Sequence, residues 1–383
     1  MTAAKPTGKE TVSFGLDIAP VLLKECSQCH ITRQPRGNFS MANFRSLLRG
    51  GDSGNPIEPG KSGESNLIKR LRGDNAEVMP PFGKLDDEVI QKIATWIDEG
   101  ATFDGPGDQI DLETVAATVR ASSLSHDVLV SERADQADKT WKLVMGDLEK
   151  TAIPSENVLV MGLQRDQRLE EISKLTEELA GEVADALRAG DGEPLVKGNI
   201  SVFVFDKRYD FSEFGRMVEQ FSFPSEITSR WGYTTVDAYA TVLLTRNQEA
   251  DDAAVDLVQQ LAALHVASQG PDIPRWFADG VGLVTAQKVL RREERLADLE
   301  DRAVEAAAKM QRIDDFVANR MPADQAGLVA YLFVKQLQAQ SSGMYGKLMK
   351  ALGAGESFEG SFKEIYGQTP AEMLNQFARR NRR

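Results

Sequence analysis

The chain is poor in the residues from which most metal and catalytic centres are built. Among 383 residues there are only two cysteines, Cys26 and Cys29, and three histidines, His30, His126 and His265. Two thiols exclude a four-cysteine zinc ribbon or iron–sulfur cluster held within one chain. The three scattered imidazoles allow no HExxH sequence at any position. A G-x-S-x-G elbow and a phosphate-cradling loop are missing as well. There is no run of about 18 apolar residues, so no segment has the sequence of a membrane-spanning helix. Basic residues are in deficit: 45 Lys and Arg stand against 58 Asp and Glu, a net charge of −13, which disfavours a nucleic-acid partner. The deficit is uneven. Residues 1–104 hold 13 basic and 14 acidic side chains, so nearly all the net negative charge lies beyond them. The 42 % apolar content is enough for real cores, and the length implies two or three domains.

The two cysteines are not scattered. They stand three positions apart in Cys26-Ser-Gln-Cys29-His30. That spacing puts both thiols on one side of a helical turn, where they can form thioethers with the two vinyl groups of a porphyrin. The next residue, His30, then offers its imidazole to the iron. This is the attachment signature of a c-type haem. A thioredoxin-like redox pair would use the same spacing but in a βαβ setting, whereas the flanks here read as helical. A sixth ligand is sought downstream, and Val78-Met79-Pro80-Pro81-Phe82-Gly83 offers a thioether in a proline-stiffened segment between two helices. His/Met ligation favours electron transfer. The competing reading is that Met79, one of 11 methionines, fills a packing gap.

The surrounding pattern fits a small helical enclosure. Asp17 reads as an N-cap with a Leu16–Val21 staple, and Pro20 falls in a first helical turn. Helices are expected near residues 40–48 and 65–72. Asp86-Asp87-Glu88 begin another, in which Val89, Ile90, Ile93, Trp96 and Ile97 form one apolar stripe and Gly100 is the stop. Residues 12–104 resemble the planctomycete-type cytochrome c domain, a monohaem module of class I character. The resemblance rests on Phe14, Asp17-Ile18-Ala19-Pro20, Cys26-Ser-Gln-Cys29-His30, Gly50-Gly51-Asp52-Ser53-Gly54, Pro59-Gly60, Met79-Pro80-Pro81 and Trp96-Ile97-Asp98-Glu99-Gly100-Ala101. It implies one covalent haem c on Cys26 and Cys29, with His30 and Met79 as axial ligands, and an N-terminal helix crossing a C-terminal one.

The first eight residues lack the apolar segment of a signal peptide. Families with this motif attach haem outside the cytoplasm. The expectation is therefore a periplasmic or otherwise extracytoplasmic protein whose leader has been trimmed. A cytoplasmic protein with an empty motif is the alternative.

Thr102–Asp108 is turn-rich, so residues 105–109 read as a linker to a second domain over 110–383, with a helical lead-in to about residue 155. Strands are expected at Asn157–Leu163, Ile200–Phe205 and Thr234–Thr245, and helices at Leu169–Leu187 and about 210–220. From Ala253 onward the chain reads as helix, with breaks near Gly270-Pro271, Met321-Pro322 and Gly353–Gly355. The charge-dense Arg291–Ala303 reads as a solvated helix face.

Leu261-Ala262-Ala263-Leu264-His265, then Pro274-Arg275-Trp276-Phe277-Ala278-Asp279-Gly280, resemble the core of gluzincin-type metallopeptidases. Ser357–Phe362 and Tyr366–Glu372 continue that likeness over roughly residues 155–380. The chemistry is mostly missing, however. Zinc peptidases need two His at i and i+4 with a Glu general base. Here those positions read Leu261, Ala262 and His265, and Asp279 stands where the resemblance implies a third ligand. The domain therefore reads as a pseudopeptidase. His265 reads as a buried or half-buried helix histidine rather than a metal ligand, and His126 as a surface residue. The acidic pairs Asp86-Asp87 and Asp251-Asp252 are explained by helix starts.

The whole is expected to be an all-α, class I cytochrome c-like haem domain joined to an α+β, mostly helical, gluzincin-like domain, and not an enzyme. Its expected function is electron transfer with a redox partner protein, the second domain binding a peptide or protein. The alternative is a haem-based sensor whose sixth ligand is displaceable.

Overall fold

The computed structural model describes residues 4–74, 78–163, 166–190, 192–270, 272–310, 312–318 and 320–381. The chain divides between Leu124 and Ser125 into two units. Among the described residues no helix is long and apolar enough to cross a membrane.

The first unit is helical. A π-helical turn, Phe14–Ile18, leads into α1 (Ala19–Glu25), and α2 (Ser27–His30), α3 (Phe44–Arg49), α4 (Asn66–Arg72), α5 (Asp87–Asp98) and α6 (Leu112–Ser123) follow. The chain turns helical earlier than expected, with its cap four residues before Asp17. Ser13 is the cap, its Oγ accepting from Leu16 N at 2.9 Å. Asp17 instead accepts from Ser13 N at 3.0 Å and from Lys92 Nζ of α5 at 2.9 Å. Leu16 is 42 % exposed, where a staple on Val21 would have covered it.

The apolar stripe of α5 buries Ile90, Ile93, Trp96 and Ile97, as its spacing predicts. Trp96 lies fully buried, with its indole N–H donating to Thr102 O at 2.9 Å. Its ring meets Phe14 of the N-terminal turn at 5.4 Å, and Phe44 and Phe103 complete the aromatic cluster. The N-terminal and C-terminal helices of the expected enclosure are thus brought together through their aromatic residues.

The first unit extends past the expected linker. Arg45 clamps Asp108 with two bonds of 3.0 and 2.8 Å, and a bridge pairs Asn43 with Asp111. Leu112 and Val115 of α6 are buried in the same core as Phe14 and Trp96. Residues 105–109 therefore tie α6 to the first unit rather than separating two domains. Their turn-rich composition reflects a tight loop, not a free linker.

The second unit opens with α7 (His126–Met145), β1 (Thr151–Pro154), β2 (Val158–Gly162), α8 (Asp166–Leu187), β3 (Ile200–Phe205), α9 (Arg208–Val218), β4 (Ser229–Tyr233) and β5 (Ala238–Leu243). It continues through α10 (Ala254–Ser268), α11 (Arg275–Val289), α12 (Leu299–Lys309), α13 (Ile313–Val317), α14 (Ala323–Gln340), α15 (Ser342–Gly353), α16 (Phe358–Tyr366) and α17 (Pro370–Asn381). The sheet order is β1-β2-β3-β5-β4, with β2, β3 and β5 parallel and both edge strands antiparallel.

The strand Ile200–Phe205 explains the layering. Ile200, Val202 and Val204 enter the core shared with α10, while Phe203 and Phe205 enter a second core with Phe211 and Phe214 of α9 and Trp141 of α7. A strand buried on both faces needs this largely apolar run, interrupted only by the buried Ser201. Pro271, an expected helix break, lies outside the described residues; α10 ends at Ser268 and α11 starts at Arg275. Arg291–Ala303 is not one helix face. It forms a short 3-10 turn at Glu294–Leu296 and becomes α-helical only at Leu299, with Leu296, Leu299 and Ala303 buried between its charges.

Candidate functional site

Cys26, Cys29 and His30 share one helical turn. Cys26 closes α1 and opens α2, and its carbonyl accepts from Cys29 N at 3.2 Å and from His30 N at 3.0 Å. Both cysteines are free and half-buried. Burial, helped by Glu25 and Cys29, pushes the Cys26 thiol up to about 11, so it is a neutral thiol near pH 7.

His30 is half-buried, and its Nδ1 lies 2.9 Å from the carbonyl oxygen of Phe39. A carbonyl can only accept, so Nδ1 carries a proton, and in the neutral ring the lone pair is then on Nε2. That is the tautomer an iron ligand requires, and the partner fixes the ring as well as the proton. Met79 follows α4, half-buried, with its N–H donating to Arg70 O at 3.1 Å. Its neighbours are apolar and outward-facing: Val78 is 38 % exposed and Phe82 89 % exposed. Paired thiols on one turn, an imidazole presenting Nε2 and apolar side chains beside a thioether fit a covalently held haem. Cys26, Cys29 and His30 are brought together; Met79 belongs to the same unit, on a separate segment anchored to α4.

The peptidase-like positions of the second unit meet different surroundings. Leu261 and Ala262 of α10 are fully buried in the main core. His265 is half-buried, as expected, and its Nδ1 pairs with Leu195 O at 2.8 Å. Burial holds its pKa below the ordinary histidine value, so it is neutral near pH 7. Asp279 of α11 accepts from the Trp231 indole at 2.6 Å and lies 3.7 Å from Arg275. The Arg275 guanidinium sits 4.3 Å over the Trp231 ring and donates to Trp231 O at 2.9 Å. His265 and Asp279 thus serve separate partners, and among the described residues no group of three or more His, Cys, Asp or Glu could hold a metal. His126 is not simply a surface residue: it starts α7 half-buried and accepts from Gly198 N at 3.0 Å.

Two contributors were not foreseen from sequence. Phe39 acts through its backbone carbonyl, which no residue type announces. Trp231 lies on edge strand β4, whose Ser-Arg-Trp-Gly-Tyr sequence has no clean alternation to mark it as a strand.

Comparison with known proteins bears on the first unit. A family described as planctomycete cytochrome C matches residues 26–83, a span that begins at Cys26 and also contains Cys29, His30 and Met79. No curated protein matches the chain. The N-terminal part of this protein is therefore similar to planctomycete cytochrome C.

Proposed function

We propose that the first unit is an electron-transfer c-type cytochrome with one covalent haem, bound through Cys26 and Cys29 and ligated by His30 and Met79. The observation that carries this reading is the Phe39 carbonyl on His30 Nδ1, which leaves Nε2 to face a metal from a turn that also bears both thiols. Similarity to cytochrome C over residues 26–83 supports it. The haem, when bound, supplies a one-electron couple. The chain's own contribution is positional. The helical turn holds the two thiols for attachment, Phe39 orients the imidazole, and α4 holds the segment that carries Met79 through Arg70 O. Such attachment chemistry belongs to an extracytoplasmic compartment, and the redox partner would be another protein.

We propose further that the second unit is a catalytically silent, peptidase-like scaffold for a peptide or protein. The support is the replacement of a zinc ligand and a base by Leu261 and Ala262, both in the core. Titration of the whole protein with an extended-peptide library is expected to find saturable binding without cleavage. Cleavage, or no saturable binding at all, would remove this second proposal.

For the first, mass spectrometry of protein from cells competent in haem attachment is expected to show one added haem. That addition should be lost in a Cys26→Ala/Cys29→Ala variant. An unmodified mass for the parent protein in such cells would contradict the assignment.

A further inference from the structure

His30 depends on one backbone carbonyl, and that carbonyl is held by a turn outside the ligand set. The stretch leading to Phe39 is unusual, since Gly37 and Asn38 both have left-handed backbones, with φ of 64° and 51°. For a non-glycine residue this region is sparsely populated and needs outside support.

The support comes from the turn at Gly50–Gly54. Asp52 N donates to Gly37 O at 2.9 Å, and Asn38 Nδ2 donates to Asp52 Oδ1 at 2.8 Å. Gly51 passes so close that a Cβ there would strike Gly37 O and come within 2.8 Å of Phe39 N and Cβ. The turn closes on itself through Gly54 N and Gly51 O at 2.9 Å. It is anchored to α4, because Asn66 Nδ2 donates to Asn55 O at 3.0 Å and Arg70 Nη2 donates to Ser53 Oγ at 3.3 Å.

We propose that this turn is a positioning element for the axial histidine. Gly51 and Asp52, with Asn38, set where the Phe39 carbonyl meets Nδ1–H of His30 and so tune the reduction potential. The proposal rests on the reading of His30 as an iron ligand. A carbonyl on Nδ1–H makes the imidazole a stronger donor through Nε2, which favours the ferric state. Loosening that carbonyl weakens the donation and raises the potential.

The test uses haem-loaded, full-length protein with Gly51→Ala, Asn38→Gly, Asp52→Ala and the double Asn38→Gly/Asp52→Ala. Two quantities are read: the potential by redox titration, and the solvent exchange of the His30 Nδ1 proton by NMR. Gly51→Ala is expected to give the largest rise in potential and the fastest exchange. Asn38→Gly preserves the positive φ, so it folds even where Gly51→Ala does not, and should shift both quantities the same way by less. The double variant should shift no further than either single one, because one bond is being removed. Unchanged potential and exchange in Asn38→Gly and Asp52→Ala, with only a lowered unfolding midpoint, would make the turn purely structural and overturn the proposal. Ferric wild-type protein without hyperfine-shifted His30 resonances would overturn it differently, by removing the ligand reading beneath it.

Discussion

Cys26, Cys29 and His30 stand out in the sequence because the proposed haem attachment demands those residue types within one short stretch of chain. The Phe39 carbonyl that orients His30 does not, since every residue carries a carbonyl and only the fold selects one. His265 offers a residue-scale prediction of the second kind. It is neutral in the native protein, its pKa lowered by burial, whereas the unfolded chain binds a proton near the ordinary histidine value of about 6.5. Between those two values the unfolded state holds more protons, so stability falls as pH drops through the unfolded pKa toward the folded one. His265→Gln, whose amide can still donate to Leu195 O, should flatten the pH dependence of the unfolding midpoint between roughly pH 7 and 5. Parallel profiles for the two proteins would show that His265 contributes no such linkage.

The elements were legible wherever burial imposed a period. The stripe of α5 and the two-faced strand Ile200–Phe205 follow their patterns, and α10 is apolar almost all round because it is buried on every side. Edge strands β1 and β4 were not legible, being short, half-polar and, in β1, ended by Pro154. The burial of α10 predicts how it tolerates change. Leu261→Ala should cost about 2–5 kcal/mol in denaturant unfolding, the usual range for emptying a packed leucine site. Ala262→Glu, a step toward a peptidase sequence, should lower the unfolding midpoint rather than confer zinc binding, because it buries a carboxylate with no partner. A stable, zinc-binding Leu261→His/Ala262→Glu variant would mean this face of α10 can open. Arg133 of α7 is another case that sequence could not announce. It is 2 % exposed and donates to the carbonyls of Lys197, Asn199 and Thr235 at 2.7, 2.7 and 3.1 Å. Lysine cannot reproduce that fork, so Arg133→Lys should be destabilising by more than about 1 kcal/mol, as measured by denaturant titration.

At the scale of the molecule, the cut between the units was misplaced for a physical reason. Gly105-Pro106-Gly107-Asp108 has a linker's composition, yet Gly105 packs under Phe103 and Val115 and Asp108 is clamped by Arg45. A fragment spanning residues 1–124 should therefore unfold at a higher midpoint than one ending at 104, which loses Leu112 and Val115 from its core at ~1.5–3 kcal/mol each. Equal midpoints would show that α6 is dispensable. The central claim concerns both iron ligands and is tested most directly by absorption spectra of the haem-loaded protein, ferric and ferrous, with and without carbon monoxide, beside Met79→Ala. The account predicts a methionine-to-iron charge-transfer band in the wild type that vanishes in the variant, and no carbon monoxide binding by the wild type. A high-spin or carbon-monoxide-reactive wild type would contradict it, leaving the sixth position open and the protein a ligand sensor rather than an electron carrier.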